Sequence, residues 1–376
     1  MIQADIATKI ISPETSIWVV FPGRRRRFIN NFLRQQHVFL ETPGIALRPE
    51  MANDYPSVRR HVRMSGAISE YHLHSEAKKF PSRNPNHYAD SPIKDAGLRM
   101  LASSVRKMFG RMKSGDLVVV PGRMFNPVYF GEVTASFKTE DTLQVERYGQ
   151  EEIPFRRVRW LNPGVPRHIV PQHLQGYLAK PPAIAHVARS PETEDFFRFA
   201  YPAYVLADKS AVMMDGPKYD GKNPLATIEA NYLVAYFIAA FHAIEKEQLE
   251  TFTTLNVPAA IEKFYDPELV QSFTQNFNSP GKYALSALSA VLGTFVSVGI
   301  AIAISQLDAS DLHEGIEVTN SVSPQDAHIN KDSGIKLDYL FKSLHNDKIK
   351  EINHLGKRAK EQIGLTTPVR IKVKAK

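Results

Sequence analysis

The chain has 376 residues, 43% of them hydrophobic and 23% charged, no cysteine, and a formal net charge of +8. This is the composition of a globular protein with two or three domains, and it excludes fibrous and wholly disordered classes. The lack of cysteine excludes disulfides, thiol nucleophiles and cysteine-based zinc sites, and residues 1–11 lack the pattern of a signal peptide. We therefore expect a cytoplasmic protein.

Charge is distributed unevenly along the chain. Residues 1–190 hold 28 Lys and Arg against 16 Asp and Glu, a net +12. Residues 191–330 hold 7 against 18, a net −11, and residues 331–376 hold 12 against 5, a net +7. A basic region followed by an acidic one indicates that only the first meets a polyanion such as nucleic acid. The alternative is that the basic and acidic parts pack against each other.

The first predicted strand ends in a run of arginines. Residues 17–20 are apolar, and the turn that follows them leads into Arg24, Arg25, Arg26 and Arg27. A short helix is predicted next, so these four cations lie at its N-terminal end, where the helix dipole disfavours them. Contact with phosphate would explain the placement, and a solvated basic turn is the alternative. A further strand is predicted at residues 38–40.

A polar stretch over residues 49–92 predicts helices broken by loops. Within it, His72, His74 and Glu76 would lie on one side of an extended chain, and such a set can bind a metal. Because no other cluster of ligand-type residues supports this interpretation, we predict neither a metal site nor a cofactor.

One amphipathic helix and several strands follow. Apolar residues recur at three- and four-residue steps over residues 98–112, and short strands are predicted at residues 117–120, 128–134, 145–148 and 155–161. The strands are close in sequence and lack intervening helices. They therefore predict a small curved β-sheet rather than a βαβ unit.

The last of these strands combines arginines with a tryptophan. Its alternation puts Arg157 and Arg159 on one face and Arg156 and Trp160 on the other. An aromatic ring beside guanidinium groups can stack on a base while the arginines hold phosphate. We therefore assign the three arginines, with Arg24–Arg27, to nucleic-acid binding.

Three aromatic residues are candidates for the wall of a base or nucleotide pocket: Trp160, Tyr129 and Trp18. Packing in the core is the alternative for each of them. The position of Trp18 between two β-branched residues favours the core, and the neighbouring arginines favour a pocket for Trp160.

The order of a helix, then GDLVVVPG, VYFGEVTASF and RRVRWL, resembles the N-terminal domain of Mrr-type restriction proteins and, more distantly, the EVE domains of the PUA-like superfamily. The similarity covers about half the chain and rests on a pattern of glycines, arginines and Asp116. It implies a pocketed barrel that holds a nucleic acid, including a modified base, or a nucleotide, often in antiviral systems. Asp116 therefore joins the pocket candidates.

The same resemblance raises the question of a nuclease. Mrr-type restriction proteins normally join this domain to a nuclease, but the carboxylates and lysine of such a site do not appear at the expected spacing. Glycine-rich phosphate loops and the common hydrolase and metalloprotease motifs are also missing. A nuclease with an unrecognised site remains an alternative.

The chain changes character near residues 181–191, where prolines cluster and the charge changes sign. Beyond this boundary Asn223 is predicted to cap a long buried helix that begins with Pro224. Two shorter helices are predicted at about residues 258–264 and 267–277. Residues 191–282 are thus predicted to form a helical domain.

Residues 283–305 hold no charge and are long enough to span a bilayer. Large and small residues alternate over residues 296–304, a pattern typical of a strand, so we predict a buried helix over residues 282–292 and a strand over residues 294–305. A membrane span is the alternative, because small residues recur at four-residue steps in this run.

The C-terminal region offers partners for that strand. Strands are predicted at residues 315–322 and 368–375, and a helical stripe with a lysine-rich outer face covers residues 337–355. Residues 283–376 are therefore predicted to form an α+β region.

Together these patterns predict an α+β protein with a PUA/EVE-like barrel and inserted helices at residues 1–190, a helical domain at 191–282 and an α+β region at 283–376. We expect a non-enzymatic sensor of nucleic acid or nucleotide in a prokaryotic antiviral defence system. Residues 191–376 would bind a protein partner or a second copy of the chain. The alternatives are a membrane-disrupting effector that uses residues 283–305, and a nuclease.

Overall fold

The computed structural model describes residues 1–74, 79–123, 127–179, 182–276, 281–325 and 327–373. It is α+β, with 47% helix and 21% strand. The chain divides into two compact units. The continuous unit is Glu14–Ala200, and the split unit combines Met1–Pro13 with Tyr201–Lys376.

The split unit begins with two short strands, β1 (Ile2–Asp5) and β2 (Lys9–Ile11). The continuous unit then follows without interruption. In chain order its elements are β3 (Ile17–Val20), α1 (Ile29–Gln35), β4 (His37–Phe39), α2 (Tyr55–Leu73), α3 (Ala96–Val105), β5 (Leu117–Pro121), β6 (Val128–Val133), β7 (Thr142–Gln144), β8 (Glu152–Trp160), α4 (Gln172–Ala179), β9 (Ile184–Val187) and α5 (Pro191–Ala200).

The strands of the continuous unit form one curled half-barrel sheet. Their order is β4-β8-β6-β5-β3-β9, with β7 beside β8. Strands β3 and β5 run parallel, whereas the other pairs are antiparallel. The predicted strands at residues 117–120, 128–134 and 155–161 are confirmed as β5, β6 and β8. Residues 145–148, predicted as a strand, instead hold a 3₁₀ turn at Glu146–Tyr148.

The remainder of the split unit mixes helices with short strands. In chain order these are β10 (Ala203–Leu206), β11 (Lys209–Gly216), α6 (Ile228–Glu245), α7 (Leu249–Thr254), α8 (Val257–Phe264), β12 (Val270–Asn276), β13 (Gly281–Ala287), α9 (Leu292–Ser305), α10 (Ala309–His313), β14 (Ile316–Thr319), α11 (Ala327–Ser343), α12 (Asn346–Ile363) and β15 (Arg370–Val373). They form a five-stranded sheet, β12-β13-β11-β10-β2, and a three-stranded sheet, β14-β1-β15.

The unit boundaries differ from the predicted domain boundaries in two ways. The continuous unit ends at Ala200 rather than at residue 190, because α5 belongs with it. Residues 191–282 and 283–376 are not separate domains: α6, α9, α11 and α12 contribute to one hydrophobic core, together with Ile2 and Ala4 of β1.

The prediction for residues 282–305 is wrong in both halves. Residues 281–287 form strand β13, and residues 292–305 form helix α9. The alternation of large and small residues was mistaken for a strand pattern. Helix α9 is buried on all sides from Leu292 to Ala303, so it lacks the polar face from which a helical period can be recognised. Its small residues allow close packing, as where Gly299 lies against the ring of Phe237.

The segment predicted as a helix at residues 267–277 also differs. Pro267–Leu269 form one 3₁₀ turn, and β12 follows; Phe277 lies outside the described residues. By contrast, Asn223 does cap the helical segment as predicted, since its side chain accepts a hydrogen bond from the Leu225 backbone N–H.

One described helical segment, Leu225–Glu245, is long and apolar enough to cross a membrane by length and composition, and 67% of its apolar window is buried. Residues 283–305, the predicted membrane alternative, do not form one continuous helix. They include parts of β13 and α9, and α9 has only 14 residues.

Candidate nucleic-acid interface

Two neighbouring strands of the half-barrel sheet end in the same short sequence. Strand β3 runs into Pro22-Gly23-Arg24, and β5 runs into Pro121-Gly122-Arg123. The strands are parallel and in register, with Ile17 opposite Leu117 and Val19 opposite Val119. The carboxyl ends of parallel neighbours meet at one edge of a sheet, so the two basic turns lie side by side there.

Among the described residues, six arginines line one open depression of about 640 Å³ at this edge: Arg24, Arg25, Arg26, Arg27, Arg123 and Arg147. Sequence analysis identified the first four. Guanidinium groups bind phosphate in a fixed, often bidentate geometry. Six of them in one concave surface attract a polyanion and repel one another when it is empty.

The basic turn has a strained backbone. Arg25 and Arg26 both have φ of 56°, and Gly23 before them has φ of 71°. Two successive side-chain-bearing residues in the left-handed region cost about 1 kcal/mol or more each. Such strain is concentrated at functional sites, because ordinary surface turns are free to relax it.

The arginines of the turn differ in their contacts. Arg26 is partly buried, and its guanidinium donates to the carbonyl oxygens of Pro121 (3.1 Å) and Leu178 (3.4 Å). Burial and the nearby Arg167 lower the pKa of Arg26. Arg27 donates to the Arg24 carbonyl oxygen and lies 3.8 Å from a Glu41 carboxylate oxygen. These two residues hold the turn in place.

Three exposed arginines of the depression have no hydrogen bond or ion pair from their side chains within the described part of the chain: Arg24, Arg25 and Arg123. Arg147 lies 6.0 Å from the ring of Tyr148. The exposed three can bind a ligand without breaking an internal contact.

A smaller pocket of about 400 Å³ adjoins the depression and shares Arg24, Arg25 and Arg26 with it. Its other walls are mostly apolar and include Phe21, Phe39 and Leu40, and Glu41 contributes a carboxylate. Glu41 accepts a hydrogen bond from the Tyr148 hydroxyl (3.0 Å), and burial followed by the Glu41 charge raises the pKa of Tyr148 to about 12. The volume of this pocket lies in the range of small-molecule binding sites.

Arg156, assigned from sequence to nucleic-acid binding, is a core residue. It is 2% exposed, and its guanidinium donates to the backbone oxygens of Met108, Met112 and Ala135. Burial lowers the pKa of Arg156 to about 10. The alternation along β8 was predicted correctly, but its Arg156 face points inward, so this side chain cannot reach a ligand.

Arg157 and Arg159 lie on the outer face of β8 and form ion pairs there. Arg157 donates to one carboxylate oxygen of the buried Asp141 through Nε (3.1 Å) and Nη2 (2.8 Å). Arg159 lies 3.6 Å from a Glu132 carboxylate oxygen. Neither residue lines the arginine depression.

Trp18 and Asp116, two of the pocket candidates, form a buried hydrogen-bonding unit. The Trp18 indole N–H donates to one carboxylate oxygen of Asp116 (2.8 Å), and both residues are 2% exposed. Asp116 also accepts from the backbone N–H groups of Ser16 and Lys113. Trp18 is thus a core residue, as its position between Ile17 and Val19 predicted.

Trp160 and Tyr129 are half-buried at the border of the same core. Their rings meet edge to face with centroids 6.5 Å apart. The Trp160 indole N–H donates to the Phe32 carbonyl oxygen (3.1 Å), and the ring lies against Gly131. These contacts are those of packing residues rather than of an open pocket wall.

Of the suggested metal ligands, His72 lies at the end of α2 and contacts aromatic rings, while Glu76 is outside the described residues. Within the described ranges, no group of three or more His, Asp or Glu side chains is placed to hold a metal ion.

The charge follows the two units. The continuous unit holds 28 Lys and Arg against 18 Asp and Glu, a net +10, whereas the split unit holds 19 against 21, a net −2. The acidic stretch and the basic C-terminal stretch fold together in the split unit, where Arg358 pairs with Glu229 (2.7 Å) and Lys336 with Glu245 (3.2 Å). Positive charge is therefore left in excess only on the unit that carries the arginine depression.

Comparison of the chain with protein-family models, with curated proteins and with solved structures finds no match.

Proposed function

We propose that the continuous unit is a nucleic-acid-binding module that holds the sugar-phosphate backbone of a strand in the arginine depression. The single observation that carries the proposal is the convergence of six arginines from three chain segments on one concave surface. A polyphosphate backbone supplies anions in series, which matches such a row of cations better than one isolated carboxylate would.

The adjoining pocket suits a base of the same strand. Its apolar walls can bury a flat ring, and the Glu41 carboxylate can accept a hydrogen bond from an exocyclic amino group. We therefore propose this pocket as the base-binding site, instead of the site predicted from sequence at Trp160, Tyr129, Trp18 and Asp116. The half-barrel sheet and the resemblance to EVE-like domains support such a role, and a sensor in antiviral defence is the function that the resemblance implies.

The experiment is fluorescence anisotropy with labelled single-stranded DNA and RNA, using the full chain over a salt series. Binding should weaken by roughly a factor of 300 between 50 and 200 mM salt if six phosphates of a single strand are neutralised. The double variant R24Q/R25Q should bind at least tenfold more weakly and reduce the slope of log K against log salt by about 1.4, because each single-strand phosphate contact contributes about 0.7.

The matched control is R34Q/R111Q, which removes two exposed arginines of the same unit outside the depression. It should bind nearly as the unmodified chain does. Equal losses in the two double variants, or a salt response that stays flat, would contradict the proposal.

A further inference from the structure

A second cavity of about 400 Å³ lies between α2 and α3, away from the arginine depression and with none of its lining residues. The helix α3 contributes Arg99, Ala102 and Ser103, and Arg106 follows directly at its C-terminal end; the four are spaced i, i+3, i+4 and i+7 and so share one face. Because Ala102 is small, space remains between the two guanidinium groups.

The facing helix α2 contributes Tyr55, Val58 and Arg59, also on one face. Pro92 and Ile93 complete an apolar wall. The cavity therefore combines three arginines, two residues with hydroxyl groups (Tyr55 and Ser103) and an apolar surface.

Arg106 lines this cavity and also has a buried, unsatisfied donor. Its guanidinium lies 3.5 Å from the centroid of the Tyr55 ring, which fixes its plane. Its Nε atom is buried and has no hydrogen-bond partner within the described residues. A buried donor without a partner is unfavourable. The two Nη groups of the same guanidinium also form no hydrogen bond or ion pair within the described residues, so they remain available to an anion in the cavity.

The other two arginines leave donors for the same anion. Arg59 donates through Nη1 to the Asp90 carbonyl oxygen (3.1 Å), and Arg99 is exposed without an ion pair in the described part of the chain. No carboxylate lines the cavity among the described residues.

The backbone at Arg106 is also unusual. A π-helical segment, Arg106–Arg111, begins at this residue where α3 ends. A π-helical turn shifts the side chains that follow relative to the preceding α-helix, and such turns are frequent at functional sites. Here it coincides with the residue whose donor is unsatisfied.

We propose that this cavity is a separate site for a small phosphate ester, with the phosphate held by Arg59, Arg99 and Arg106 and the organic part on Val58, Pro92 and Ile93. Three guanidinium groups and the Ser103 hydroxyl match the oxygens of a terminal phosphate. The apolar wall gives an organic ester an additional contact that inorganic phosphate lacks. The inference is independent of nucleic-acid binding by the arginine depression.

The test is isothermal titration of the full-length R24Q/R25Q variant, in which phosphate binding at the depression is weakened, with AMP and with inorganic phosphate. We expect one AMP per chain, and binding at least tenfold tighter than that of inorganic phosphate. R99Q and R106Q, each added to this background, should weaken AMP binding at least tenfold, whereas R111Q, with the same loss of charge at an exposed position outside the cavity, should not.

Arg99 is exposed and forms no hydrogen bond or ion pair within the described residues, so R99Q should fold normally and keeps the test decisive if R106Q is unstable. In the chain with Arg24 and Arg25 intact, R99Q should leave oligonucleotide affinity unchanged, which separates this site from the proposed function. No AMP binding, or an equal effect of R99Q and R111Q, would overturn the proposal. Equal affinity for AMP and inorganic phosphate would reject the organic ester as the ligand.

Discussion

At the residue scale, arginine side chains have two opposite roles in the continuous unit. Arg24, Arg25 and Arg123 are exposed at the ends of two strands, whereas Arg156 is buried and holds three backbone carbonyl groups. Sequence alone did not separate these roles, because burial depends on which face of β8 turns inward. The face becomes known only when β8 is placed between β4 and β6.

Replacing Arg156 by methionine should destabilise the continuous unit by roughly 3 kcal/mol, because carbonyl groups of Met108, Met112 and Ala135 lose a charged donor. Urea denaturation measures this. The control R159M, two residues along on the exposed face, should change the free energy of unfolding by about 1 kcal/mol or less. A smaller loss for R156M than for R159M would show that Arg156 is not the structural residue.

Trp160→Ala should likewise act on folding, by about 3 kcal/mol, because the ring packs against the core and its N–H holds the Phe32 carbonyl group. Thermal denaturation and oligonucleotide binding, measured on the same sample, separate the two effects. An unchanged melting temperature with a tenfold loss of affinity would instead make Trp160 part of a binding pocket.

His37 should make the stability of the continuous unit depend on pH. Its ring is buried against Phe155, with centroids 4.6 Å apart, and burial lowers the pKa of His37 from 6.5 to about 4, with the Arg157 charge acting in the same direction. The unfolded chain therefore binds a proton first as the pH falls. Stability should decrease from about pH 6.5 towards pH 4 and then become constant, with a loss of about 2 kcal/mol at pH 5.

The variant H37F keeps an aromatic ring against Phe155 and removes the titrating group. Between pH 7 and pH 5, the free energy of unfolding of H37F should fall by about 2 kcal/mol less than that of the unmodified chain. Parallel pH profiles for the two proteins would contradict this assignment.

At the scale of elements, the sequence predicted those helices and strands that have a polar face or are bounded by turn residues. Strands β5 and β6 were found because β-branched runs lie between Pro, Gly and polar turns, and α8 because Pro258 marks its start. Helix α9 was missed because it has no polar face, and β12 because Pro267 suggested a helix.

Part of the arginine depression was also open to sequence analysis. Arg123 was missed, but the repeated Pro-Gly-Arg after two apolar runs is a signal that could have identified it once β3 and β5 are known to be neighbours. Arg147 carries no such pattern. It reaches the depression only through the three-dimensional path of the chain between β7 and β8.

The packing of α9 against α12 gives a prediction at the same scale. A side chain at Gly356 in α12 would overlap the backbone of Ala303 in α9. Gly356→Ala should therefore destabilise the split unit by about 2 kcal/mol, although alanine favours helices. Gly334→Ala in α11 is the control: its methyl group would lie at an ordinary 3.6 Å from Val318, and it should be neutral or stabilising. Thermal unfolding of the two variants should thus shift in opposite directions or by clearly different amounts.

At the scale of the whole molecule, the continuous unit has a complete sheet and core of its own, whereas the split unit needs both chain segments. Strand β1 is the central strand of its three-stranded sheet, between β14 and β15, and β2 is an edge strand of the five-stranded sheet. The division therefore cannot be found by scanning the sequence for linkers, which is why the predicted boundary at 282/283 fell inside one core.

A fragment of residues 14–200 should fold alone, with cooperative thermal unfolding and the oligonucleotide affinity of the full chain. A fragment of residues 201–376 should not, because Ile2 and Ala4 leave its core and β14 and β15 lose the strand that joins them. Adding a peptide of residues 1–13 should restore protection of amide hydrogens in that fragment. Cooperative folding of residues 201–376 without the peptide would contradict this division of the chain.

The place of β1 has a consequence for synthesis on the ribosome. Ile2 pairs with Ile316, so its partner strand emerges 314 residues later, which takes roughly 15 to 60 s at ordinary elongation rates. The continuous unit can fold during that interval, while the backbone N–H and C=O groups of β1 remain without their partner strands. A nascent chain that stalls before residue 316 would thus carry both a folded arginine depression and an unpaired, aggregation-prone β1, and we expect chaperones to associate with this protein mainly while it is being translated.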